Sequence, residues 1–206
     1  MVVFFIMSRG VVIGLASLPG AGKGELAVQL ELLGAEHFHV GDVVRTTAQA
    51  NDFEPEVNAR EAYLPFWRLY SAEHGENWLA RLAMAHAEEK QRPVVVDGVR
   101  IAADAETIAS AGTMYWLHGD LPILGKRVLK RSRAEDHEIV SVDEYVEAMK
   151  RDLADMGNFS MGAVRELCTI HLLPIPEIQD EVERAENYHK LAVYVLETSL
   201  GLGVSA

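Results

Sequence analysis

Cysteine is nearly absent from this chain: Cys168 stands alone in 206 residues. A lone thiol closes no internal disulfide, and no cysteine and histidine group shows metal-ligand spacing. The expected setting is therefore a reducing cytoplasm, with Cys168 a small buried hydrophobe. Long apolar runs are also missing. The opening Met1-Val-Val-Phe-Phe-Ile-Met7 is apolar, but it is too short for a bilayer and lacks a basic flank, so no membrane association is expected. It reads as an extension of the first strand or as residues ahead of a true start at Met7. Positive charge is scarce, with 19 Lys and Arg against 31 Asp and Glu, a net charge of −12. Such a surface repels nucleic acid backbones and anionic membranes, so neither is an expected partner, and an anionic ligand must be met by a local cluster of cations. No repeat, linker or low-complexity tract interrupts the chain. With 49% hydrophobic and 24% charged residues, residues 1–206 read as one globular domain, a monomer or small homo-oligomer.

The most informative stretch is Val11 to Leu33. A β-branched apolar run leads into a Gly/Pro-rich turn and then into an apolar-periodic segment, the order strand, loop, helix. A phosphate-binding loop requires that context. Gly20 and Gly22 let backbone N–H groups turn inward, the following helix presents its positive end, and Lys23 supplies a mobile cation for the β- and γ-phosphates. Ser17 stands where G-x-x-x-x-G-K-[ST] has its first glycine, and Gly24 where it has the hydroxyl that holds Mg²⁺.

Further along, Glu36 to Val40 reads as a second strand running into Gly41-Asp-Val-Val-Arg45, with Asp42 a helix N-cap and Arg45 about one turn inside. Residues 46–92 are mostly helical in pattern, broken at Pro55 and Pro65, and concentrate Phe53, Tyr63, Phe66, Trp67, Tyr70 and Trp78. Those aromatics are expected to form core between helices before they stack any ligand. Pro93 to Asp97 is an apolar run ending in a carboxylate, the pattern of a strand buried on both faces of a parallel sheet. Asp97 is placed to hold Mg²⁺, through water, beside Lys23. A fourth strand is expected at Thr113 to His118, a fifth at Thr169 to Leu173, and helices at Ile101 to Ala111, Leu121 to Ser132, Val142 to Met156 and Ile178 to Leu200. The helix from Leu121 puts Arg127, Lys130 and Arg131 on one face. With Arg133 they form a dense basic patch in an acidic chain, which makes sense over a triphosphate. The fold class is therefore α/β: a parallel five-stranded sheet with helices on both faces in three layers, and a site at the carboxyl ends of the strands.

Pro19-Gly20-Ala21-Gly22-Lys23-Gly24 resembles the phosphate loop of adenylate kinases and other nucleoside monophosphate kinases, which also have glycine after the lysine; Glu25 stands where they usually have threonine. Gly41-Asp42-x-x-Arg45 resembles the element whose arginine grips the acceptor phosphate in that superfamily. Asp97-Gly-Val-Arg100 resembles their Asp-Gly-x-Pro-Arg, one residue shorter, which implies that Arg100 bridges donor and acceptor phosphates. Arg133-Ala-Glu-Asp136 resembles the mobile lid, and Arg151 its second arginine, so that residues 127–151 would make a short lid and residues 46–92 an acceptor-binding arm. Together the motifs resemble uncharacterised archaeal-type phosphate-loop proteins related to adenylate kinase and dephospho-CoA kinase.

The resemblance implies ATP-dependent phosphoryl transfer to a nucleoside monophosphate with Mg²⁺. Ser17, Pro19, Gly20, Ala21, Gly22, Lys23, Gly24 and Glu25 would hold ATP; Asp42, Arg45 and Arg100 would hold the acceptor; Lys23, Arg100, Arg127, Arg133 and Arg151 would neutralise charge during transfer. Two alternatives stay open. A dephospho-CoA kinase would phosphorylate a hydroxyl and give Asp42 or Glu25 a role as base; a regulatory nucleotide-binding module with slow hydrolysis would account for Gly24 and Glu25.

Overall fold

The computed structural model describes residues 10–55, 61–131, 140–156, 159–173 and 180–202. Five strands, β1 (Val12–Ser17), β2 (Glu36–His39), β3 (Val94–Asp97), β4 (Thr113–Leu117) and β5 (Ile170–Leu172), form one sheet in the order β2-β3-β1-β4-β5. Every pairing is parallel. The central strand β1 and its neighbour β3 are buried along their whole length, as their largely apolar character requires of strands covered on both faces.

Crossover handedness then sorts the helices. The chain moves from β1 across β3 to β2 through α1 (Lys23–Leu32). It returns in the opposite direction through α2 (Val40–Ala50), α3 (Leu64–His74) and α4 (Trp78–Lys90), and goes on to β4 through α5 (Ala102–Ala111). Right-handed crossovers running in opposite directions put their helices on opposite faces. Accordingly α1 packs with the terminal helix α9 (Glu181–Ser199), while α4 packs on α5 and α5 on α8 (Met161–Leu167). The α6 (Leu121–Arg131) and α7 (Val142–Leu153) pair packs together, and α7 also meets α8.

Each layer follows from residue pattern. Helix α1 turns Leu26, Ala27 and Leu30 to the sheet. In α4 it is Ala80, Ala83 and Ala87 that join the main core, their small side chains letting that helix lie close. Tyr63, Phe66 and Ala48 form a separate cluster with Val44, Phe53 and Tyr70 packed against it, and Tyr70 continues the ring contacts to Trp78 at a centroid distance of 4.8 Å. The aromatics of residues 46–92 are thus mainly interhelical core. Cys168 is buried, and burial pushes its thiol up to about 12, in keeping with an inert hydrophobe.

Several boundaries differ from expectation for identifiable reasons. Helix α2 begins at Val40, one residue into the expected strand, because the His39 imidazole caps it: Nδ1 accepts from the Asp42 N–H at 3.2 Å. Asp42 is therefore not the N-cap but a first-turn carboxylate. Helix α8 has no counterpart in the sequence pattern. Its seven residues are too few for an apolar period to emerge. Met1–Met7, Ser132, Arg133–Asp136 and the expected helix start at Ile178 lie outside the described residues.

Candidate active site

The loop between β1 and α1 takes its shape from two glycines. Gly20 and Gly22 adopt φ of +88° and +94°, a region in which only glycine is unstrained. Gly22 is also the N-cap of α1, and its end carries no side-chain cap. The N–H groups of a first turn have no acceptor within their own helix, and with the helix dipole behind them this end suits an anion. A Cβ at Gly22 would collide with the Tyr188 hydroxyl of α9, and one at Gly20 would approach the Leu124 carbonyl to 2.8 Å. From the other side, the Tyr145 hydroxyl of α7 donates to the Pro19 carbonyl at 2.6 Å. Three helices therefore fix the loop's path.

Lys23 Nζ donates to Ser17 Oγ at 3.0 Å, and Ser17 donates in turn to the Leu18 carbonyl at 2.9 Å. The serine in place of the usual glycine thus parks the lysine at the end of β1. Gly24 faces open space, with nothing within 4 Å of where its Cβ would be, and Glu25 is exposed. Asp97, 5% exposed at the end of β3, lies close to Lys23. Burial pushes its carboxyl upward, but His37, Lys23 and His39 outweigh that and hold it below the ordinary range. His37 Nε2 is 3.7 Å from Asp97 Oδ2, an ion-pair separation, and the Asp97 carboxylate raises the imidazole above its usual value against the effect of burial. The sequence pattern singles out neither His37 nor His39. Their alternation in β2 puts them level with Val95 and Asp97 in the ladder, which only the sheet order reveals.

Beyond Asp97 the chain turns at Gly98 into a cleft lined by Arg45, Arg100, Trp67, Tyr63, Phe159 and Asp104, among others. The cleft opens to solvent and combines guanidinium groups with aromatic walls, a lining that suits an anionic ligand carrying a ring. Arg45 pairs with Asp42, whose carboxyl is held below its ordinary range by Arg45 and His39 although burial works against them. The Arg100 guanidinium carbon sits 5.0 Å from the centre of the Phe159 ring, within cation–π range. Arg45 and Arg100, far apart in sequence, are thus brought to one cleft; Phe159 and Asp104 join them there with no local signal to mark either.

Of the proposed lid, Arg127 and Arg131 lie half-buried on α6, with Lys130 exposed between them. Arg127 is close enough to stabilise the phenolate form of Tyr188, whose hydroxyl burial nevertheless pushes up to about 12; since Tyr188 abuts Gly22, this helix face borders the phosphate loop. Arg151 is exposed on α7. Arg133 lies outside the described residues. Among the described residues, no three His, Cys, Asp or Glu side chains gather as a metal site, and no helix is long and apolar enough to cross a membrane. The donor set fits Mg²⁺ that is held by a single carboxylate, phosphates and water, as that ion commonly is.

No family model matches the chain. It is similar to a UPF0200 protein of Staphylothermus marinus, 29% identical over 182 residues, covering 86% of this chain and 90% of that one. A UPF0200 protein of Sulfurisphaera tokodaii is 27% identical over 186 residues, or 89% of this chain and 98% of that one. Among solved structures, shikimate kinase from Acinetobacter baumannii in complex with shikimate superposes with a TM-score of 0.56 at 16% identity, covering 98% and 99% of the two chains. Shikimate kinase from Bacteroides thetaiotaomicron gives a TM-score of 0.59 at 16% identity, covering 91% and 98%. At that identity the likeness is one of fold: the chain has the phosphate-loop kinase fold.

Proposed function

We propose that the protein transfers the γ-phosphoryl group of ATP to a nucleoside monophosphate, binding ATP on the loop from Ser17 to Glu25 and the acceptor in the adjoining cleft. The observation that carries this reading is the meeting of Arg45 and Arg100 in a cleft that begins one residue after Asp97. The loop accounts for one polyphosphate; two guanidinium groups in the adjoining cleft suit a second anion. A phosphate acceptor is itself an anionic nucleophile and requires no general base, so catalysis reduces to alignment and charge neutralisation.

In this mechanism the first-turn N–H groups of α1 and Lys23 hold the donor phosphates, and Lys23 leaves Ser17 to follow the moving charge. Mg²⁺ bound with ATP would neutralise phosphate charge and orient its oxygens, and Asp97 is the residue to hold it, through water. Arg45, paired with Asp42, grips the acceptor phosphate, and Arg100, set against the Phe159 ring, spans the two anions. Arg127, Arg131, Arg133 and Arg151 would close over the donor and exclude water.

Transfer to a hydroxyl, as in a dephospho-CoA kinase, is less favoured because Asp42, one of its two candidate bases, is committed to Arg45 and its carboxyl is held low, which makes it a poor proton acceptor, while Glu25, the other, does not line the cleft. The test is Arg45→Ala. Acceptor KM should rise by about tenfold or more while ATP KM stays level, because Arg45 touches only the acceptor phosphate. Equal losses for both ligands would remove the acceptor assignment, and ATP hydrolysis with no acceptor phosphorylated would favour the regulatory module.

A further inference from the structure

Among the cleft's lining residues a single carboxyl occurs, that of Asp104, 4% exposed on α5. Its Oδ1 accepts from the Ala80 N–H at 2.9 Å, serving the first turn of α4, where the N-cap Asn77 makes no capping bond of its own; the Asn77 amide donates instead to Thr107 Oγ1 at 3.0 Å. That capping task needs one neutral oxygen, and an asparagine would perform it without burying an ionisable group.

The charge state shows what a cap alone would not call for. Burial pushes the Asp104 carboxyl up to about 7, and the Ala80 N–H is the one influence that opposes it. Arg45 and Arg100 line the same cleft, so one cavity offers both guanidinium groups and a buried acid. Among the described residues Oδ2 has no protein hydrogen-bond partner. Tyr63, Trp67 and Phe159 add aromatic rings to the same lining. A ligand complementary to guanidinium groups, aromatic rings and a carboxylate has a phosphate, a flat ring, and a hydrogen-bond donor on the ring's edge.

We infer that Asp104 selects the acceptor by accepting an N–H from the edge of its ring, so that the substrate is a nucleoside monophosphate whose base carries a donor there. This rests on the kinase reading for the identity of the site, but binding tests it separately from turnover. Titrations of the protein by calorimetry at about pH 8, above the carboxyl's titration, compare AMP, GMP and CMP, whose bases carry N–H donors, with purine riboside 5′-monophosphate, whose ring edge has acceptors alone. The tightest donor-bearing nucleotide should bind about tenfold or more tightly than the donorless one, since a buried acceptor left unpaired is costly. Asp104→Asn keeps Oδ1 for Ala80 and turns an amide donor to the ring, so the gap should close or reverse while ATP affinity is unchanged. The wild-type comparison involves no variant and is immune to misfolding.

Equal binding of all four monophosphates by the wild type, or equal weakening of all four in Asp104→Asn, would overturn the inference and leave Asp104 a cap. Selective binding without any phosphoryl transfer would leave it standing and remove the kinase reading. No binding of any monophosphate would overturn both.

Discussion

Asp104 ought to cost the protein stability that a neutral residue would return. Its carboxyl moves from an ordinary 3.8 to about 7 in the folded chain, and each tenfold change in proton affinity is worth about 1.4 kcal/mol. Because the folded value is raised, the contribution is fully favourable below about pH 4 and is lost as pH climbs through 7. Relative to strongly acidic solution, the folded state forfeits about 2 kcal/mol at pH 5, about 3 kcal/mol at pH 6 and about 4 kcal/mol at pH 8. Asp104→Asn retains the bond to Ala80 and carries no ionisable group. It should therefore be more stable than the wild type by amounts that follow that series, with the two proteins converging towards pH 4. Urea unfolding followed by far-ultraviolet circular dichroism at those pH values measures the differences through the midpoint at constant slope. A difference that does not change with pH, or a loss of stability at pH 8, would refute the placement of an uncompensated carboxyl in this wall. A stabilised variant with lost acceptor selectivity would match the usual trade between stability and a strained functional site.

Other perturbations read other parts of the site. Lys23→Ala should lower transfer by about 10²-fold or more while the far-ultraviolet circular dichroism spectrum of the folded chain is kept, because the loop amides persist while the cation is gone; undiminished turnover in a coupled ADP assay would contradict the loop's role. Gly22→Ala forces a left-handed alanine against Tyr188 and should cost about 2 kcal/mol or more in chemical unfolding, along with most of the ATP affinity; tolerance of the methyl group would mean that α9 does not clamp the loop. Tyr145→Phe, which deletes the bond to the Pro19 carbonyl, should cost about 1 kcal/mol and weaken ATP severalfold in a binding titration, whereas a loss confined to the acceptor would misplace it. Arg133→Ala should slow transfer more than it weakens ATP binding, as expected of a closing lid; normal transfer with loss of a macromolecular partner in pull-down would make the basic patch an interaction surface.

The sequence announces those features whose cause is local. The phosphate loop is legible because left-handed glycines, a lysine and a following helix must be contiguous, and β3 because a strand buried on both faces has to be apolar throughout. Arg45 and Arg100 are legible as motif residues. What the sequence hides is produced by distance along the chain. Tyr145 meets Pro19 across a sequence separation of 126 residues, and Tyr188 reaches Gly22 from the last helix; nothing local to either tyrosine marks it as a loop contact. Asp104 looks like an ordinary helical acid until α4 covers it. Phe159 and α8 escape because one short turn carries no period, and His37 and His39 because β2 must first pair with β3 for either to face Asp97. The sequence pattern misplaces the N-cap of α2 at Asp42 for a related reason: a histidine ring can cap, and only its rotamer tells.

The central claim is tested most directly by incubating the protein with Mg²⁺ and γ-labelled ATP, together with nucleoside monophosphates, dephospho-CoA or no acceptor, and resolving where the label goes. The account predicts label in a nucleoside diphosphate, at a rate well above release of inorganic phosphate without acceptor, and no transfer by Lys23→Ala. Label found in inorganic phosphate alone, or in the product of dephospho-CoA, would contradict it.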